Sequence, residues 1–273
     1  VIRRALFVLA GLVALALAAA AAFLLHLVDL RPDSVSVGDD PAAELVGRML
    51  LREMVAAHGG ADALQRHHTF DAELRDTWVG VGRWFNPWPD DDQRVHLTTR
   101  VGRLDASTVF HNGPRTGERW SVRDRVVRSH TASADRVVDD ADLRFMLPTV
   151  QYFVEMPVRL PEAAIVRSVG RQRVGDHEYD VVYATWGSVE ANRAFDQYLV
   201  YLDPESHQLA KVWYTVRELG GFVQGIAHFE ALVDVDGYLL PARVTVTPGL
   251  GDDVATDGLH TMVFTDAAFD VGP

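Results

Sequence analysis

The chain contains no cysteine. Disulfides, thiolate metal sites, cysteine nucleophiles and a lipid-modified cysteine are therefore excluded. Lysine is nearly missing too, with Lys211 alone against 25 arginines. Basic residues are outnumbered, 26 Lys plus Arg against 38 Asp plus Glu, for a net charge of −12. Coating a nucleic acid needs a basic stripe, so this balance argues for no nucleic-acid partner. Also absent are a Gly-x-Ser-x-Gly elbow, an HExxH pair, EF-hand spacing and a phosphate-cradling glycine loop after a strand. The expectation is no catalytic residue, no metal site and no cofactor.

What is present is apolar. Hydrophobic residues make up 48 % of the chain, enough for a sizeable core and too many for wholesale disorder. The most conspicuous run follows Arg3 and Arg4: residues 5–28 include only Gly11 and His26 as non-apolar members. A helix of that length spans a hydrocarbon layer of roughly 30 Å. A cleavable signal peptide is the competing reading, but its apolar core is normally about 7–15 residues. The length favours an uncleaved signal anchor at 1–28, one transmembrane helix. Arg3 and Arg4 precede it, and Asp29, Asp33, Asp39 and Asp40 follow, as the positive-inside bias expects. The expected location is the cytoplasmic membrane, single-pass, with the C-terminal part extracytoplasmic.

Residues 29–40 read as a polar linker, and 41–273 as a single α+β domain. Asp39 or Asp40 can cap a helix beginning at Pro41, with Glu44 at the positive end of its dipole. Leu45, Val46, Met49, Leu50 and Val55 form an apolar stripe at helical spacing, and Gly59-Gly60 ends the helix. Short strands are expected at 69–79, 94–104, 107–111, 119–122 and 126–130. A helix broken at Pro148 interrupts them over 139–155. Strands resume at 164–169, 177–186, 197–203, 209–218, 223–233, 238–247 and 259–265. Their faces are informative: Val212, Tyr214 and Val216 alternate with Lys211, Trp213 and Arg217, and both faces of 198–202 are apolar. A sheet wet on one side alternates more cleanly, so a curved sheet with apolar matter in its hollow fits better.

The order of elements resembles that of periplasmic lipoprotein-carrier proteins of the LolA/LolB-like superfamily. The resemblance rests on Ala56-Ala57-His58-Gly59-Gly60-Ala61-Asp62-Ala63-Leu64 at the end of a helix. It continues with the strand and turn Asp196-Gln197-Tyr198-Leu199-Val200-Tyr201-Leu202-Asp203-Pro204-Glu205-Ser206. Trp213-Tyr214-Thr215-Val216-Arg217 and Gly237-Tyr238-Leu239-Leu240-Pro241 complete it, so that it covers residues 42–247. It implies an unclosed β-barrel of about eleven antiparallel strands, a curved sheet wrapped around helices, whose hollow accepts acyl chains.

The functional expectation is a membrane-anchored, extracytoplasmic binding protein, not an enzyme, holding a lipid or other apolar ligand. Its partners would be a lipid or acyl chain and, through the N-terminal helix, the membrane; no protein partner is identified. Trp186, Tyr198, Tyr201, Trp213, Tyr214 and Phe229 are the candidate lining residues, with Arg217 and His228 as candidate headgroup contacts. The alternative is a non-enzymatic interaction module that presents its sheet edge or the tryptophan-rich hairpin of Trp78, Trp84, Phe85 and Trp88. Asp257 and His260 also pair a carboxylate with an imidazole, on an expected loop.

Overall fold

The computed structural model describes residues 15, 25–131, 134–249 and 258–271. Helices α1 (Pro41–Ala57) and α2 (Ala61–Gln65) lead into a first meander. It comprises β1 (Thr69–Trp78), β2 (Asp92–Arg100), β3 (Asp105–Phe110), β4 (Arg119–Arg123), β5 (Val126–His130) and β6 (Asp135–Val138). Helix α3 (Ala141–Arg159) and a 3-10 turn at Leu160–Glu162 connect it to a second meander. That meander comprises β7 (Ile165–Val174), β8 (His177–Thr185), β9 (Gln197–Leu202), β10 (Leu209–Thr215), β11 (Gln224–Val235), β12 (Tyr238–Pro248) and β13 (His260–Phe269).

All 13 strands form one sheet, and every neighbouring pair is antiparallel. The meanders join where β1 pairs with β13, which leaves β6 and β7 as the two edges of an unclosed sheet. These edge strands are consecutive in the chain, so α3 and its turn must carry the backbone from one edge to the other. Register shifts in β7, β10 and β13 mark bulges, which bend strands and sharpen their twist. The short strand β6, unexpected from the sequence, exposes Asp135, Arg136 and Val137, charge that discourages another strand from pairing there.

The main core joins Leu51 and Met54 of α1 and Leu143, Met146, Leu147, Val150, Phe153 and Val154 of α3 to the sheet's inner face. There they meet Leu74, Leu97, Val182, Val200, Val212, Val244 and Phe264. Helix α3 runs unbroken through Pro148 and Pro157, contrary to the expected break. Two internal prolines at about 3 kcal/mol each cost about 6 kcal/mol. Six buried apolar side chains, each contributing about 1.5–3 kcal/mol, outweigh them. Its start is capped by Asp140, whose carboxylate accepts the Leu143 N–H at 2.9 Å.

Helix α1 is capped by Asp40, which accepts the Ala43 N–H at 3.0 Å, but its apolar stripe is placed differently from the expectation. The buried face is Gly47, Leu51 and Met54, while Leu45, Val46 and Met49 are exposed. Only Gly47 allows this contact, because a Cβ there would lie 2.9 Å from the Ser168 nitrogen of β7. The segment expected to be a polar linker also packs. Leu30 and Val35 are buried against Val181, Tyr183, Leu199 and Tyr201 on the sheet's outer face.

The expected single-pass location in the cytoplasmic membrane is corrected: among the described residues, no helix is long and apolar enough to cross a membrane. Of the expected anchor at 1–28, residues 1–14 and 16–24 lie outside the described residues.

Candidate functional site

Strand parity divides the eight candidate residues between the two faces. Trp186, Tyr198, Tyr214 and Phe229 lie with the inner core. There α3 inserts Tyr152 and Phe153 among them: Phe153 meets Tyr214 at 5.8 Å and Phe229 at 6.3 Å, both edge-on. Trp186 stands edge-on to Tyr198 at 5.3 Å, and Tyr152 lies 6.4 Å from Tyr198. Burial pushes the phenols of Tyr152, Tyr198 and Tyr214 upward, so they stay neutral. Burial also raises the nearby Asp196 carboxyl, against the opposing hydrogen bond from the Arg217 N–H. Trp186, Tyr152, Tyr198 and Tyr214 all keep some accessible surface. The inner aromatic cluster is thus packed but not sealed.

The other four do not join them. Tyr201 and Trp213 belong to the outer cluster, and the Lys211 ammonium lies 4.9 Å from the Tyr201 ring centre. Trp213 donates its indole N–H to Gln224 at 3.0 Å. Arg217 donates to the carbonyls of Gly221 at 2.7 Å and Val28 at 2.6 Å, tying the N-terminal segment to the outer face. His228 contacts the Thr247 hydroxyl at 3.2 Å.

A cleft of about 490 Å³ opens beside α1. Pro41, Leu45 and Leu51 of α1 and Pro161 of the 3-10 turn supply its apolar walls, and Glu44, Arg48 and Arg52 its polar groups. Arg48 fixes the geometry: its guanidinium holds Glu44 at 2.9 Å and reaches the Ala164 carbonyl at 3.0 Å. Arg48 lowers the Glu44 pKa, chiefly through this hydrogen bond. Sequence reasoning missed the cleft, although a signal was there. Leu45, Val46 and Met49 together with Leu51 and Met54 make α1 apolar over more than one face, more than burial against a single neighbour requires.

The tryptophan hairpin is also divided. Asp76, fully buried, accepts the indole N–H of Trp78 at 3.0 Å and of Trp88 at 2.7 Å. The same carboxylate lies 2.8 Å from Nδ1 of His260, whose ring stacks on Trp78 at 4.0 Å. His260 therefore pairs with Asp76; Asp257, its expected partner, lies outside the described residues. Trp84 and Phe85, at the tip, are 84 % and 67 % exposed. Among the described residues, no group of three His, Asp or Glu side chains is gathered to hold a metal ion.

An open, strongly curved antiparallel sheet with helices in its hollow and an apolar cleft beside one of them defines a class of half-barrel proteins. Solved structures share this fold. The chain is similar to a putative outer membrane lipoprotein-sorting protein domain from Vibrio parahaemolyticus, at 11 % identity and a TM-score of 0.51, covering 84 % of this chain and 94 % of that one. It is equally similar to a DUF1329 family protein from Desulfovibrio piger, at 10 % identity and a TM-score of 0.51, covering 85 % and 95 %. A LolA superfamily protein from Nitrosomonas europaea aligns at 10 % identity and a TM-score of 0.49, covering 83 % and 94 %. The chain shares the fold of the Vibrio and Desulfovibrio proteins, which fits the order of elements on which the resemblance rested. No protein-family model and no curated protein matches the chain.

Proposed function

We propose that the protein is a non-enzymatic binding protein that holds a lipid or another apolar ligand. The carrying observation is the cleft beside α1: its volume of about 490 Å³ is that of a ligand site, and it combines apolar walls with a few convergent polar groups. An alkyl chain entering it gains about 0.8 kcal/mol per buried CH₂. The inner aromatic residues Trp186, Tyr198, Tyr214 and Phe229 form a second, packed apolar region with the main core. Tyr201, Trp213, Arg217 and His228 stand outside this proposal.

Native mass spectrometry with lipid extraction, applied to the purified full chain, tests the proposal. The expected result is a bound apolar ligand that is lost in Leu45→Asp, a variant at an exposed position whose fold is checked by circular dichroism. A clean apoprotein that also leaves a fluorescent fatty acid unbound overturns it. A second reading, docking of a protein partner, is favoured by the exposed Trp84 and Phe85. It predicts that W84S/F85S abolishes partner cross-linking while ligand binding persists.

A further inference from the structure

The polar rim of the cleft is unequal in charge. Its one carboxylate, Glu44, is already claimed on both oxygens: Arg48 Nε donates to Oε1 at 2.9 Å and Arg167 Nη1 donates to Oε2 at 2.9 Å. Among the charged groups that line the cleft, Glu44 offsets Arg48, and Arg52 is the positive charge left without a counterpart. Arg52 lies one helical turn beyond Arg48 on the same side of α1, lines the cleft, and is exposed. Its guanidinium makes no hydrogen bond or ion pair with any described residue. The neighbouring carboxylates do not redress the balance. Neither Glu53, the next residue on α1, nor Glu162, beside Pro161, lines the cleft. Arg167 is itself 6 % exposed, and its Nε has no hydrogen-bond partner.

We propose that the cleft selects amphiphiles with an anionic headgroup, a carboxylate or phosphate monoester on an alkyl chain, and that Arg52 is the residue that receives that headgroup. This inference rests on the reading that the cleft holds an apolar chain. In a chain with a net charge of −12, a local excess of positive charge at an apolar opening repels cationic amphiphiles and gives neutral ones nothing to pair with. Carboxylates and phosphates match the planar guanidinium fork, which binds them by two parallel hydrogen bonds. Arg48, fixed by Glu44 and by the Ala164 carbonyl, contributes charge without moving. Arg52, on a free stem, can follow the headgroup.

The test compares probes of one chain length on the purified full chain: dodecanoate, dodecyl phosphate, dodecanol and dodecyltrimethylammonium, by displacement of a fluorescent fatty acid. Dodecanoate or dodecyl phosphate should bind about tenfold or more tightly than dodecanol, the equivalent of one charge-assisted pair. The preferred anion identifies the headgroup chemistry. Arg52→Gln should remove most of that advantage, whereas Arg128→Gln, on the exposed side of β5, should retain it. Dodecanol binding as tightly as both anions, or an undiminished preference in Arg52→Gln, overturns the inference while the apolar-ligand reading stands. Failure of all four probes to bind overturns both.

Discussion

The ring of His58, just past the C-terminal end of α1, is held between two strands by backbone groups. Its Nδ1 donates to the Leu239 carbonyl at 2.7 Å, and its Nε2 accepts the Leu209 N–H at 3.1 Å. The acceptor role of Nε2 places the single proton on Nδ1, and a second proton would set N–H against N–H. Burial moves the imidazole below its usual value of 6.5, only partly offset by the Leu239 hydrogen bond. A depressed folded-state value means that the unfolded chain takes up the proton first. Stability from this site is therefore intact above about pH 6.5 and declines as the pH falls below it. His58→Gln should lower stability at pH 7.5 by about 1–3 kcal/mol through the lost bonds. It should also flatten the acid dependence, as urea denaturation across a pH series would show. The Ala56–Leu64 signature that suggested the family also contained this latch, but nothing local in it indicated that His58 reaches β10 and β12.

At the scale of elements, α1 shows how packing can reverse a local preference. Replacing glycine by alanine inside a helix ordinarily stabilises it by about 1 kcal/mol. At Gly47 a Cβ would lie 2.9 Å from the Ser168 nitrogen, 2.9 Å from Val166 Cγ1 and 3.1 Å from the Arg167 carbonyl carbon. Two of these are backbone atoms of β7, so the helix itself must move. Gly47→Ala should cost about 1–3 kcal/mol, in the range of overpacked cores, and appear as a lower Tm. The caps of this helix were legible because Asp40 and Pro41 act on their own turn. Its buried face was not, because Gly47 contributes nothing to an apolar stripe and yet makes the closest approach. Pro148 misled in the opposite sense: the rule it obeys is local, and the core around α3 overrode it.

For the molecule as a whole, the outer face of β8–β10 is covered by the chain's own segment around Leu30 and Val35 rather than by solvent. Arg217 secures that cover through its bond to the Val28 carbonyl, and Gln197 through its bonds to Asp29 and the Leu30 N–H. Arg217→Ala should release it, so that chymotrypsin cleaves after Leu30, buried in the native chain, faster in the variant, as read by mass spectrometry of timed digests. Slower or unchanged cleavage would mean that the apolar contacts of Leu30 and Val35 suffice alone.

The sequence by itself determined the run of antiparallel strands, the cap of α1 and the hairpin turns, since each depends on residues within a few positions of one another. Alternation also fixed that Trp213 and Tyr214, or Tyr198 and Tyr201, look to opposite faces. Only the tertiary structure decided which face is the inner one, that α3 fills the hollow with Tyr152 and Phe153, and that the open cleft lies beside α1. Those outcomes depend on which strands become neighbours and on what packs across them. Contacts such as Arg217 with Val28, or Gly47 with Ser168, join segments far apart in the chain, and no local pattern encodes them.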